Sequence, residues 1–138
     1  GFFLQTEDGS DPANRVVAQT DGARYPQLDY DPARLPAARE EHRRLVRDFN
    51  RSLWKIGLPA AAKAIPLAGT AHACGTLVAG GDPRTSVVDT DGKVHGLDNL
   101  YVVDGSVLPR SSRVNPSLTI YAWALRVAER LQQEERSA

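Results

Sequence analysis

The chain has one cysteine and no methionine among its 138 residues, and its basic and acidic side chains balance at 17 each. Each scarcity closes a class of function. Cys74 alone forms no internal disulfide, and no second Cys or Cys/His cluster stands at zinc-site spacing, so neither a disulfide scaffold nor a structural metal is expected. A balanced charge sets up no strong global field to draw in nucleic acid or anionic lipid, and neither is expected as a partner. The longest apolar-leaning stretch, residues 56–73, is broken by Gly57, Pro59, Lys63, Pro66 and Gly69, which a membrane-spanning helix would not accommodate together. With no signal segment in view the chain is expected to be soluble and cytoplasmic. It opens Gly1-Phe2-Phe3-Leu4 without an initiator Met, so it is not expected to start where its gene starts.

What remains has the 41% hydrophobic content of an ordinary globular domain. Up to Tyr30 the apolar residues come in short runs, Phe2–Gln5, Arg15–Gln19 and Tyr25–Tyr30, separated by Asp, Gly, Pro and Asn clusters, and Asp21-Gly22 suits a tight hairpin turn. From Asp31-Pro32 the pattern becomes helical. Leu35, Leu45, Val46, Phe49, Leu53 and Ile56 share one side, and a charged run over residues 39–44 faces water. Asp31 is expected to cap this helix and Gly57 with Pro59 to end it. An Ala-rich, loop-like stretch then leads to Thr70-Ala71-His72. Further on, strands are expected at Ser86–Asp89 and Leu100–Asp104, with a turn at Thr90-Asp91-Gly92. The closing segment, residues 116–133, repeats apolar residues at Leu118, Tyr121, Ala122, Leu125, Ala128 and Leu131. It is expected to be an amphipathic helix with Pro116 first and Asn115 as its cap.

Four features carry potential chemistry. The run Leu100-Tyr-Val-Val-Asp104-Gly105-Ser106 has the form of a buried parallel strand that delivers backbone to a cofactor, although an Asp-Gly ending is more often an ordinary turn. The free N–H groups opening the last helix at Asn115-Pro116-Ser117-Leu118-Thr119 would stabilise an anion, yet simple capping explains the same residues. His72 lies among small residues, a context suited to projection into a cavity, and imidazole is the side chain best matched to taking a hydroxyl proton near neutral pH. His42, in a charged helical run, and His95, beside a turn, fit structural or solvated roles. Cys74, between Ala73 and Gly75, fits a small buried apolar residue better than a nucleophile.

In order and spacing, these blocks resemble one family. His72-Ala-Cys-Gly-Thr76, Gly80-Gly-Asp-Pro83, Ser86-Val-Val-Asp89, the run from Gly96 through Asp104-Gly-Ser-Val-Leu-Pro109, and Asn115-Pro-Ser-Leu-Thr119 with its helix look like the C-terminal signature of the glucose-methanol-choline (GMC) flavin oxidoreductases. More loosely, Asp11-Pro-Ala-Asn-Arg15-Val and Leu28-Asp-Tyr30 look like substrate-domain strands of that family. The resemblance implies an α/β fold, here an α+β fragment. Residues 1–79 would be part of a substrate-binding domain with the catalytic His loop, and residues 80–138 the C-terminal portion of an FAD-binding domain. It implies His72 as catalytic base and Asn115 as its partner, with Asp104 and Gly105 along the FAD ribityl or pyrophosphate. Asn115, Pro116, Ser117, Leu118 and Thr119 would lie near the flavin ring. The His-x-Cys-Gly-Thr and Asn-Pro-Ser-Leu-Thr blocks look most like bacterial sugar- or glycoside-oxidising members, including pyranose oxidases and glycoside 3-oxidases.

Two departures matter. Val78 stands where the family often has a basic residue, and the Gly-rich strand-turn-helix that holds the FAD pyrophosphate is missing. The expectation is therefore an FAD-dependent oxidoreductase of CH–OH groups in a sugar, glycoside or other small alcohol. It would be active only with an N-terminal FAD-binding polypeptide of the same enzyme. A GMC-type lyase acting on cyanohydrins and a non-catalytic binding or assembly module are the alternatives.

Overall fold

The computed structural model describes residues 1–19, 22, 24–66 and 72–137. The chain forms two compact units, Gly1–Ala71 with Ser112–Val114, and His72–Ser111 with Asn115–Ala138.

In the first unit, β1 (Arg15–Val17) and β2 (Gln27–Asp29) pair antiparallel with Val16 opposite Leu28. Of the expected hairpin turn, Gly22 has φ 83°, the left-handed region that glycine adopts without strain, while Asp21 lies outside the described residues. The hairpin base is tied by Arg34, whose Nη1 donates to Ala13 O at 2.7 Å, Asp29 Oδ1 at 3.0 Å and Asn14 Oδ1 at 3.1 Å. The first apolar run adds no strand. It follows the long helix α1 (Pro36–Lys55) instead. The Phe2 ring meets Phe49 edge-on at 5.1 Å, Thr6 Oγ1 lies 3.4 Å from His42 Nδ1, and Gly9 approaches Leu35.

The start of α1 corrects the expected cap. Asp31 does accept an N–H, from Ala33 at 2.8 Å, but it caps a separate 3₁₀ turn, Pro32–Arg34. Leu35 precedes Pro36, whose ring disfavours α geometry at that residue, and at φ −119°, ψ 61° it breaks any continuous helix from Pro32. The end of α1 is as expected: Gly57, at φ 78°, donates to Trp54 O at 3.0 Å.

The second unit is a small meander of isolated bridges, Ala79–Val88 parallel and Val88–Val94 and Lys93–Tyr101 antiparallel, covered by α2 (Ser117–Ser137). Val88, fully buried, bridges Ala79 on one side and Val94 on the other, and Lys93 bridges Tyr101. Asp89 organises the expected turn by accepting from the N–H groups of Asp91 at 2.8 Å and Lys93 at 3.0 Å. The expected strands at Ser86–Asp89 and Leu100–Asp104 are reduced to these single bridges. Leu100–Asp104 is neither parallel nor buried: Val94 N–H donates to Leu100 O and Val102 N–H to Gly92 O, and Leu100 and Val103 are exposed. This stretch has a partner on one side only among the described residues, so its outer edge and apolar side chains stay uncovered.

α2 overturns a second expectation. Of the anticipated stripe, Leu118, Tyr121 and Leu125 are 81, 70 and 71% exposed and Ala122 and Ala128 are exposed as well, while Leu131 alone is half-buried. The packed face is the opposite one, built on Ile120, Trp123, Val127 and Leu131, with Val127 only 1% exposed. Both faces carry apolar residues at helical spacing, so periodicity alone does not choose between them. The choice is made by fit. A Cβ on Gly92, which sits at φ 85°, would lie 2.7 Å from Val127 Cγ2, and Trp123 Nε1 donates to Val102 O at 2.9 Å.

Gly92→Ala should therefore combine left-handed strain with overpacking against Val127 and destabilise the fold by roughly 2–4 kcal/mol. Leu125→Ser should change the stability of this chain by less than about 0.5 kcal/mol. Urea-denaturation midpoints of the two variants check both statements.

Candidate active site

His72 begins the second unit, and the backbone after it is laid along the segment that follows Asp104. Leu77 N–H donates to Ser106 O and Ala79 N–H to Val107 O, each at 3.0 Å. Two glycines allow the approach. Gly75 sits at φ 85° where a Cβ would lie 3.1 Å from Pro109 O, and Gly105 is buried where a Cβ would lie 3.1 Å from Ile120 Cδ1 and 3.4 Å from Ala73 O. Ala73 adjoins His72 and Ile120 lies in the first turn of α2, so Gly105 sets how near the His loop comes to that helix. The result brings together two side chains 43 residues apart: His72 Nε2 and Asn115 Oδ1 are separated by 2.9 Å. His72 is half-buried and Asn115 exposed. Thr70 and Ala71, which precede the histidine, lie outside the described residues.

Asn115 was expected to cap α2, and this is corrected. The first helical acceptor is Pro116 O, which takes the Ile120 N–H at 2.9 Å, so Pro116 holds the cap position and the Asn115 amide faces His72 instead. Pro116 is buried, while Ser117, Leu118 and Thr119 form the exposed first turn. Their N–H groups are among those that no α-helix can satisfy internally.

Asp104 turns its carboxylate onto its own 3₁₀ turn, Gly105–Val107, accepting from Ser106 N–H at 2.8 Å and from Ser106 Oγ. These two hydrogen bonds hold its carboxyl below the ordinary carboxylate range. Burial pushes the Cys74 thiol up, the direction away from a reactive thiolate. His95 Nε2 lies 3.0 Å from Ser86 Oγ and 3.1 Å from Gly80 O, a structural hydrogen-bonded position inside the meander. Among the described residues no cluster of His, Cys, Asp and Glu could hold a metal ion, and no helix is long and apolar enough to cross a membrane. Sequence reading did not single out Ile120, whose one signal was its place on the second apolar face of α2.

A family model described as GMC oxidoreductase matches residues 10–124. The chain belongs to that family. It is similar to 6'''-hydroxyparomomycin C oxidase of Streptomyces lividus, at 53% identity over 60 residues, 44% of this chain and 11% of the relative. Paromamine 6'-oxidase of Streptomyces fradiae is 54% identical over 61 residues, again 44% of this chain and 11% of that protein. Pyranose 2-oxidase of Tricholoma matsutake is 34% identical over 113 residues, 80% of this chain and 20% of that protein. The matched stretches thus cover only 11 to 20% of these relatives' lengths. Proteins of the family are generally FAD-dependent oxidoreductases.

The lowered Asp104 carboxyl gives a pH prediction. A depressed folded-state value means a contribution to stability that is present above the ordinary carboxylate range and lost as pH falls through the depressed value. Asp104→Asn should keep the acceptor for Ser106 N–H but remove that dependence. Its denaturation midpoint should fall less steeply than that of the wild type between about pH 5 and about pH 2.

Proposed function

We propose that this chain is the C-terminal part of an FAD-dependent GMC oxidoreductase that oxidises a CH–OH group of a sugar, glycoside or related alcohol. It would work together with an N-terminal polypeptide that binds most of the cofactor. The observation that carries the reading is the 2.9 Å approach of His72 Nε2 to Asn115 Oδ1 at the start of α2. The names of the relatives, oxidases of paromamine, of a paromomycin derivative and of pyranose, favour a sugar-like donor.

The residues present fit a flavin. The exposed first-turn N–H groups of Ser117, Leu118 and Thr119 suit a group that gains negative charge. Asp104 favours one of the two contacts that the family resemblance leaves open. A carboxylate held ionised repels pyrophosphate and accepts well from hydroxyls, so it would face the ribityl chain rather than the phosphates. When bound, the flavin supplies the hydride acceptor.

The chain's own side chains handle the proton. In the contact seen, His72 Nε2–H is the donor and Asn115 Oδ1 the acceptor. A carbinol hydroxyl would take the place of that contact, donating to an unprotonated His72 Nε2 and accepting from the Asn115 Nδ2–H. His72 takes the hydroxyl proton as hydride leaves the carbinol carbon, so both electrons leave as hydride and the proton stays on the imidazole. Asn115 is neutral, and it orients the oxygen without placing a charge where one would oppose flavin reduction.

His72→Ala in the complete flavoprotein should leave FAD bound and slow flavin reduction by about 10²–10⁴-fold. Asn115→Asp should slow reduction while leaving α2 stability nearly unchanged, because Asn115 does not cap the helix. Stopped-flow flavin bleaching by a sugar alcohol reads both, and an unchanged rate in the His72 variant would remove it from the mechanism.

A further inference from the structure

We infer that Ile120 is a positioning residue for the His72–Asn115 pair, acting through Gly105 from the first turn of α2, an inference that rests on the function proposed above. The contacts that connect the pair all lie within the second unit. From His72 the chain passes to Ala73, whose carbonyl oxygen would lie 3.4 Å from a Cβ on Gly105. The same Cβ would lie 3.1 Å from Ile120 Cδ1 and 3.7 Å from its Cγ1. Ile120 N–H donates to Pro116 O at 2.9 Å, and Asn115 is the next residue outward. The 2.9 Å approach of Asn115 Oδ1 to His72 Nε2 closes the circuit.

Space, not backbone conformation, makes position 105 a glycine. Its φ lies outside the left-handed region that Gly75 and Gly92 occupy, and it opens the 3₁₀ turn Gly105–Val107, so alanine could adopt its conformation. The room a side chain would need is taken by the His loop backbone and by Ile120, so this chain fills it and leaves none of it to a cofactor. Ile120 is half-buried, and a helix holds a β-branched side chain to one preferred χ1, so its δ-methyl has little freedom to withdraw. A methyl added at position 105 therefore drives the Ala73 carbonyl away from the first turn of α2, and His72 away from Asn115. Ile120 itself touches no reacting atom and acts only through this spacing.

The test uses the complete flavoprotein carrying Gly105→Ala, Ile120→Val or both, because valine lacks the Cδ1 that the new methyl meets. A misplacement of about 1 Å can cost about 10²-fold in rate, and the shift needed here is smaller, so Gly105→Ala should slow flavin reduction at saturating substrate by about five- to tenfold. Ile120→Val should slow it by about two- to threefold, and the double variant should be faster than Gly105→Ala alone, with FAD content unchanged throughout. With ¹⁵N-labelled histidine, the His72 Nε2 resonance, identified by its loss in His72→Ala, should shift in both single variants and return toward its wild-type position in the double variant. Ile120→Val meets no clash, and if it moved neither rate nor resonance the inference would fail. A double variant slower than both single variants would overturn it, as would a lower melting temperature with rate and resonance unchanged. Loss of FAD from Gly105→Ala that Ile120→Val does not restore would assign the glycine to the cofactor and overturn it too. A wild-type flavoprotein whose flavin no alcohol reduces would refute the proposed function instead, and the His72 resonance would still decide the role of Ile120.

Discussion

The site depends on the lateral approach of residues 75–79 to residues 106–109. Two backbone hydrogen bonds join them, and net contributions of about 0.5–1.5 kcal/mol each would not hold a loop in place by themselves. What sustains the approach is burial. Val107, 2% exposed, lies in one of the two segments, and Val88, 0% exposed, bridges Ala79 at the end of the other. Val127 closes the unit from the α2 side against Gly92. Polar chemistry at His72 and Asn115 is thus positioned by a small aliphatic core to which neither residue belongs. A larger side chain at Gly75 would meet Pro109 O and move the His loop without touching the histidine.

Much of the first unit was legible in the sequence because its signals are local. Gly57 ends α1 and the short alternating runs form the hairpin strands, each for a reason contained within a few residues. The start of α1 was misread where two local rules compete, Asp31 as cap and Pro36 as breaker. In α2 the error has a different origin. Leu118, Tyr121 and Leu125 form as regular a stripe as Ile120, Trp123 and Val127, and only the Gly92 notch, 31 residues before Trp123 in sequence, selects the second stripe. The pairing of His72 with Asn115 followed from no spacing rule, since 43 residues and a meander separate them. It was accessible through resemblance to a family alone.

The face of α2 left open bears on the proposed assembly. Its apolar stripe is confined to the first turns, from Leu118 to Leu125, and the same side then becomes polar at Glu129 and Gln132. Leu100 and Val103 are exposed as well, beside a backbone edge paired on one side only. Exposed apolar surface of this kind, where it is extensive, marks an interaction site. The matched stretches account for no more than 20% of the length of the relatives described above. The proposed N-terminal polypeptide would supply a cover for these surfaces, and the stripe's end at Leu125 limits that cover to the part of α2 nearest the site.

Pro116 links the two roles proposed for the start of α2. An asparagine at the cap position would turn its carbonyl onto the helix's own N–H groups and neutralise the positive end of the dipole. With proline at the cap, no such side-chain acceptor is available there, and Asn115 is displaced one residue outward. That single displacement has two effects. The amide becomes free to meet His72 at 2.9 Å, and the N–H groups of the first turn are left for a group that becomes anionic. His72 and Asn115 thus come to lie beside the positive helix end because proline, with no side-chain acceptor, holds the cap position. In the proposed reaction that end of the helix would favour negative charge on the hydride acceptor, beside the pair that handles the proton.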